Sequence, residues 1–293
     1  MKEGVIIKGI GGFYDVLASD NQVYRCRPRG IFRKLGITPM VGDRVRITPQ
    51  SSEHEGALEE ILPRKNTLIR PPVANIDNLA VVVAAEQPSP DFYMVDKLII
   101  TAERMGISVI LLINKIDLAK TDVLKKMKSQ YSGSGYPIFC VSGKFGQGIE
   151  ELSKAMKGIT TLAGQSGVGK STIINRLNPG KKLETGKISA KIKRGRHTTR
   201  HVELLILPHG GMVVDTPGFS QLELKDVDPI ELQNSYPEFD RYRHECYFNG
   251  CLHVSEPNCR VKQAVEEGNV SKERYDRYIH IMEEIKENRR NLW

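Results

Sequence analysis

Gly164-Gln165-Ser166-Gly167-Val168-Gly169-Lys170-Ser171 follows the apolar run GITTLA (158–163) and precedes TIINRL (172–177). A strand that feeds a glycine-rich turn and then a helix is the setting in which G-x-x-x-x-G-K-[ST] works as a phosphate loop. The glycines let backbone N–H groups curl around phosphate oxygens, and the helix N-terminus adds its dipole. Lys170 supplies a cation for the β- and γ-phosphates, the Ser171 hydroxyl suits Mg²⁺, and Thr172 beside it is expected to bind the nucleotide. This one stretch predicts an α/β domain built around a nucleoside triphosphate.

Upstream of it, NLAVVVAA (78–85), DFYMVDKLIITAERMG (91–106) and ISVILLINKIDL (107–118) alternate strand and helix patterns, as a βαβ unit with buried strands requires. PIFCVS (137–142) and GIEELSKAM (148–156) continue the alternation. Asn114-Lys115-Ile116-Asp117 closes the second of these strands, at the carboxyl edge where open α/β sheets bind ligands. Asp117 can accept from guanine N1–H and from the exocyclic amine, neither of which adenine offers. A bidentate base contact of this kind discriminates by roughly 1–3 kcal/mol, and a carboxylate left unpaired adds to the penalty. Val141-Ser142-Gly143-Lys144, after the next strand, has the form of a loop that packs on the base.

Downstream, ELLIL (203–207) and MVVD (212–215) flank Pro208-His209-Gly210-Gly211 and read as a hairpin. Asp215-Thr216-Pro217-Gly218 ends the second of these strands, where Asp215 can hold Mg²⁺ through water and the Gly218 N–H can reach the γ-phosphate. Thr198 and Thr199 lie in the interval where a switch threonine coordinates Mg²⁺; either one fits. The base motifs at 114 and 141 precede the phosphate loop at 164, whereas Ras-like GTPases run the other way. The domain is therefore expected to be circularly permuted, with the chain passing from the Asp215 loop almost directly into the C-terminal region. Nucleotide state could be transmitted as movement of that region.

Residues 4 to about 68 carry short alternating apolar runs between Gly-, Pro- and Asp-containing turns, the pattern of a small all-β domain. Closing five short strands into a barrel removes their exposed edges, and the OB-fold is the shape of that kind that also binds RNA. The 293 residues carry a formal net charge of +8, which implies an acidic partner, nucleic acid ahead of membrane. Eight Lys/Arg fall between 181 and 200 against one acid, Glu184. Such a run is commonly a solvated face; its place inside the switch interval favours an RNA contact. No stretch reaches the roughly 18 apolar residues of a membrane span and no cleavable leader is evident, so a soluble, cytoplasmic protein is expected.

Cys246, Cys251, His253 and Cys259 supply three thiolates and an imidazole within fourteen residues, a complete tetrahedral set for one structural zinc. Reduced cysteines packed in a small core are the alternative. Cys26 and Cys140 lie elsewhere and are expected to be buried hydrophobes.

NKID, GQSGVGKST, GRHTTRHVELL, DTPGF and the Cys-Cys-His-Cys cluster stand in the succession found in the RsgA family of small-subunit-dependent permuted GTPases, which the whole chain resembles. The resemblance implies GTP hydrolysis stimulated by the 30S ribosomal subunit during its late maturation, with 16S rRNA contacts from the flanking domains. It also implies a role for His197: Phe219 follows DTPG where Ras-like enzymes place a glutamine that orients the attacking water, and the family's proposed substitute is a histidine in the switch loop. An RNA contact is the other reading of His197. The expected fold is multidomain α/β: an OB-like β-barrel (1–68), a circularly permuted P-loop GTPase domain (69–225) and a helical zinc-binding domain (226–293). A monomer binding GTP or GDP is expected. The rival function is an RNA-binding protein that uses GTP as a structural or regulatory ligand.

Overall fold

The computed structural model describes residues 1–50, 54–69, 71–180, 183, 202–215, 224 and 226–290. In chain order the N-terminal elements are β1 (Lys2–Ile10), β2 (Phe13–Ala18), β3 (Val23–Pro28), α1 (Gly30–Lys34), β4 (Arg44–Pro49), β5 (Glu55–Ile61), β6 (Thr67–Ile69) and β7 (Pro72–Ala74). The central elements are β8 (Asn78–Ala84), α2 (Phe92–Arg104), β9 (Ser108–Asn114), α3 (Thr121–Ser129), β10 (Ile138–Val141), α4 (Ile149–Ala155), β11 (Ile159–Ala163) and α5 (Lys170–Leu177). The last are β12 (Leu204–Ile206), β13 (Met212–Val214), α6 (Pro229–Leu232), α7 (Asp240–Arg243), α8 (Arg260–Glu266) and α9 (Lys272–Arg290).

Two compact units divide the chain. The first comprises Met1–Leu79, Ile149–Leu162 and Lys170–Ser220; the second Ala80–Gly148, Ala163–Gly169 and Gln221–Trp293. In the first, β1 to β5 close into a barrel in the order β1-β2-β3-β5-β4, as the N-terminal pattern predicts. Alternate side chains turn inward, so Ile6, Val16, Cys26, Val45, Ile47 and Leu58 are fully buried. Closure is made by β3 running parallel to β5, with α1 bridging from β3 to β4. The same unit carries β11, β13 and β12 side by side: β11 is parallel to β13, and β12 returns antiparallel as the expected hairpin.

In the second unit β10, β9 and β8 neighbour one another in that order, and β10 runs parallel to β9. The strand β9 is buried at every position after Ser108, consistent with its unbroken apolar run. Helix α2 is capped by Asp91, whose side chain accepts the Met94 N–H at 2.9 Å. The C-terminal residues are helical as expected, and they share one core with α2: Ile100 packs with Leu232, Tyr236, Phe239, Tyr278, Ile281 and Ile285. Tyr278, Ile281, Met282 and Ile285 line one face of α9 at helical spacing. Cys26 is buried as expected, but Cys140 is only half-buried, because β10 lies at the end of its strand order with intermediate burial at three of its four positions.

Candidate functional site

The base loop of the second unit is built on one buried amide. Asn114, the last residue of β9, is 2% exposed. A polar group so placed must find partners, since each one left unpaired costs about 1–3 kcal/mol of lost hydration. Its Oδ1 accepts the Gly143 N–H at 3.0 Å and its Nδ2 donates to the Val168 carbonyl at 2.7 Å. One side chain thus pins the phosphate loop and the 142–147 turn to the end of the strand. Asn114 serves here as a brace.

Lys115 comes next in the chain with φ 62°, and its Nζ donates to the Gln87 carbonyl. Asp117 sits in the short 3₁₀ turn Ile116–Leu118 with its side chain toward solvent and one anchored oxygen: Oδ1 accepts from the Ser142 hydroxyl at 2.6 Å. Ser142 is itself fully buried; its Oγ accepts the Phe145 N–H at 3.2 Å and its main chain pairs with Gln147 and Gly146. Ser142 therefore orients the exposed carboxylate, and Gly143 and Lys144 complete the turn beside it.

The phosphate loop requires glycine at two positions for reasons visible in its packing. Gly164 has φ 141° and a Cβ there would stand 2.1 Å from the Val82 carbonyl oxygen. Gly169 has φ 100°, and its Cβ would lie 2.3 Å from Asn114 Nδ2. Between them, Gln165 and Ser166 lead into Gly167, and Val168 plugs its side chain into the interior.

In the first unit, Lys170, Ser171 and Thr172 form the opening turn of α5, anchored by buried Ile173, Ile174 and Leu177. Burial pushes the Lys170 ammonium below its usual range, as taking a cation out of water does; an anionic ligand beside it would act in the opposite direction. Asp215 directly follows β13. Its Oδ1 accepts the Glu203 N–H at 3.0 Å, and its own N–H donates to the Glu203 carbonyl at 2.9 Å. The Ser171 hydroxyl and Asp215 carboxylate are hard oxygen donors, the chemistry Mg²⁺ takes when substrate phosphates supply further ligands. His197, Thr198, Thr199 and Gly218 lie outside the described residues.

The four zinc-type ligands converge. The ligand atoms of Cys246, Cys251, His253 and Cys259 all lie within 4.8 Å of one another. Sulfurs about 2.3 Å and a nitrogen about 2.0–2.1 Å from a tetrahedral zinc would be roughly 3.8 Å (S–S) and 3.5 Å (S–N) apart. Cys246 Sγ to Cys259 Sγ is 3.9 Å, and His253 Nδ1 is 3.6 and 3.3 Å from those two sulfurs. His253 Nε2 is 2.9 Å from Gln233 Oε1, which accepts its proton and leaves the Nδ1 lone pair facing the sulfurs. Glu256 gathers the N–H groups of Leu252, Val254 and Ser255, and Tyr275 and Tyr278 donate to the carbonyls of His253 and Leu252. Burial lowers the His253 pKa to about 4, so the ring is neutral, the form that ligates. The residues fit a structural zinc.

Gln233 and Glu203 were not singled out by sequence reasoning, because a lone Gln or Glu carries no spacing signal; Gly143 and Val168 were, but as parts of separate motifs, and only the fold joins them through Asn114.

A base loop ahead of a phosphate loop, with one buried asparagine joining the two, defines a P-loop GTPase of circularly permuted order. Two family models cover almost everything before residue 226: the RsgA N-terminal domain over residues 3–58 and the RsgA GTPase over residues 61–225. The chain belongs to the RsgA GTPase family. It is 47% identical over 290 residues to the small ribosomal subunit biogenesis GTPase RsgA of Ruminiclostridium cellulolyticum, covering 98% of this chain and 95% of the relative. The protein of that name from Carboxydothermus hydrogenoformans is 46% identical, with 99% of each covered. Among solved structures, YjeQ from Thermotoga maritima superposes with a TM-score of 0.82 at 39% identity, over 97% of this chain and 98% of that one. YloQ, described as a circularly permuted GTPase, gives 0.82 at 38% identity, over 97% and 95%.

Proposed function

We propose that this GTPase hydrolyses GTP to GDP when stimulated by the 30S ribosomal subunit, and that it acts in late small-subunit maturation through contacts with 16S rRNA. The observation that carries the reading is the Asn114 brace, which hydrogen-bonds the Gly143 turn to the Val168 carbonyl of the glycine-rich loop and so supports a base loop beside a phosphate loop. The relatives named for small-subunit biogenesis, and the net charge of +8, support the ribosomal part.

In this reading Asp117, oriented by Ser142, reads guanine, with Lys115, Gly143 and Lys144 lining the base. The N–H groups of 164–169 and the Lys170 ammonium neutralise the phosphates. Ser171, Asp215 and either Thr198 or Thr199 would hold Mg²⁺, which supplies charge neutralisation at the β- and γ-phosphate oxygens. His197 would orient the attacking water or accept its proton, since Phe219 cannot. The cysteine cluster holds one structural zinc per chain.

In the same reading the domains run 1–68, 69–225 and 226–293, and the protein acts as a cytoplasmic monomer. No helix among the described residues is long and apolar enough to cross a membrane.

The test is a GTPase assay with and without purified small subunits, using the parent and Lys170→Ala. Stimulated turnover by the parent, lost in the variant, is expected. GTP binding without stimulated turnover would instead support the rival in which GTP is only a structural ligand.

A further inference from the structure

The strand β1 carries an irregularity where the barrel meets the rest of its unit. Its pairing with β2 slips between Ile6↔Val16 and Lys8↔Asp15, a bulge that bends the strand and re-aims the residues after it. Immediately past the bulge, Lys8 makes an antiparallel bridge to Glu203, one residue before β12. Their side chains pair as well, Lys8 Nζ to Glu203 Oε2 at 3.1 Å, with 32% and 22% of the side chains exposed. Glu203 is also the residue whose main chain brackets Asp215, giving its N–H to the carboxylate and its carbonyl to the Asp215 N–H.

Lys8 thus joins Glu203 and Asp215, the two ends of the β12–β13 hairpin, in one line of contacts from the barrel to the Asp215 carboxylate. A carboxylate can hold a cation through water only while its rotamer is fixed, and here one of its oxygens rests on an N–H whose position depends on where Glu203 sits. Glu203 is in turn tied to the barrel by both main chain and side chain. We infer that Lys8 and Glu203 are positioning residues for Asp215, so that the N-terminal barrel sets the Mg²⁺ affinity of the nucleotide site. The inference rests on the proposed role of Asp215. It adds a route by which a partner that shifts the barrel reaches the phosphate end of the site.

The experiment is an equilibrium titration of a fluorescent GDP analogue with the full chain at graded Mg²⁺, which reads binding and requires no turnover. Lys8→Met and Glu203→Gln, both checked for folding by circular dichroism, are each expected to raise the Mg²⁺ concentration at half-effect about two- to fivefold, the range of a partly exposed ion pair. Affinity in EDTA is expected to stay at the parental value, because the base loop is untouched, and Lys8→Arg should keep the parental Mg²⁺ midpoint. A parental midpoint in either Lys8→Met or Glu203→Gln overturns the positioning role. Asp215→Asn serves as the control: if it leaves the Mg²⁺ dependence unchanged, the proposed role of Asp215 fails, and this inference with it.

Discussion

Arg274 on α9 donates through Nη1 to Oδ1 of Asp96 on α2 at 2.6 Å, and neither side chain is more than 1% exposed. Arg277 reaches the other oxygen of Asp96, Tyr131 donates to Oδ1 at 2.8 Å, and Arg274 also pairs with Glu238. The Arg274 guanidinium lies over the rings of Tyr131 and Tyr236, 4.8 and 4.6 Å from their centroids. A second tie joins the same two helices, Lys97 to Glu284 at 2.8 Å. The C-terminal helices are therefore locked to α2, and any nucleotide-driven movement must carry residues 80–148 along with them or break a buried ion pair.

Breaking that pair from one side leaves an uncompensated charge in the interior, so Asp96→Ala is expected to destabilise the protein by about 3–5 kcal/mol. Urea unfolding followed by circular dichroism gives the value. A loss below about 1 kcal/mol would mean that the arginines find solvent in the folded state.

Ser142→Ala removes the hydroxyl that orients Asp117. A hydrogen bond to a charged group contributes about 1.5–3 kcal/mol, so GDP affinity should fall roughly ten- to hundredfold while the fold is kept. Asp117→Asn should weaken GTP and relatively favour xanthosine triphosphate, whose extra carbonyl meets the new amide donor. Calorimetric titrations with both nucleotides test this, and an unchanged base preference would show that another residue reads guanine.

Gly169→Ala must abandon φ 100° or push the Asn114 amide aside, since the new Cβ would lie 2.3 Å from Nδ2. Because Asn114 also holds Gly143, both loops should loosen together, and GDP affinity should fall at least tenfold. Parental affinity in this variant would show that the brace can shift without cost to the site.

Gln233→Leu leaves all four zinc ligands in place but deprives His253 Nε2–H of its acceptor. Zinc affinity, measured by competition with a chromophoric chelator, should fall about ten- to hundredfold. The parent should contain one zinc per chain and Cys259→Ser little or none, with a lower unfolding midpoint for α2 as well as the C-terminal helices, because they share one core and the Asp96–Arg274 pair. Metal-free protein purified without chelators would leave the cysteines as plain core residues.

Neutralising Lys191, Lys193 and Arg194 together should reduce 30S-stimulated turnover far more than intrinsic turnover, because these charges lie in the switch interval of the sequence. Equal stimulation of parent and variant would make the segment a solvated face.

Much of this protein is legible in local patterns of its sequence. Unbroken apolar runs marked β8 and β9, period-2 alternation marked the barrel, and the glycine spacing of 164–169 and the Cys-Cys-His-Cys spacing of 246–259 named their chemistry, because each of these signals acts through neighbours within a few residues. Bonds across long separations were invisible. Asn114 reads as a base-loop residue, yet its amide is a brace to Gly143 and Val168. Gln233, Glu203 and Lys8 carry no motif, and Asp96 and Arg274 read as an ordinary helical acid and base until the packing of α9 on α2 buries them together. Sequence fixes which groups are present and which lie on one face of one element. Only the folded chain, by removing water from particular pairs, decides which of them must satisfy one another.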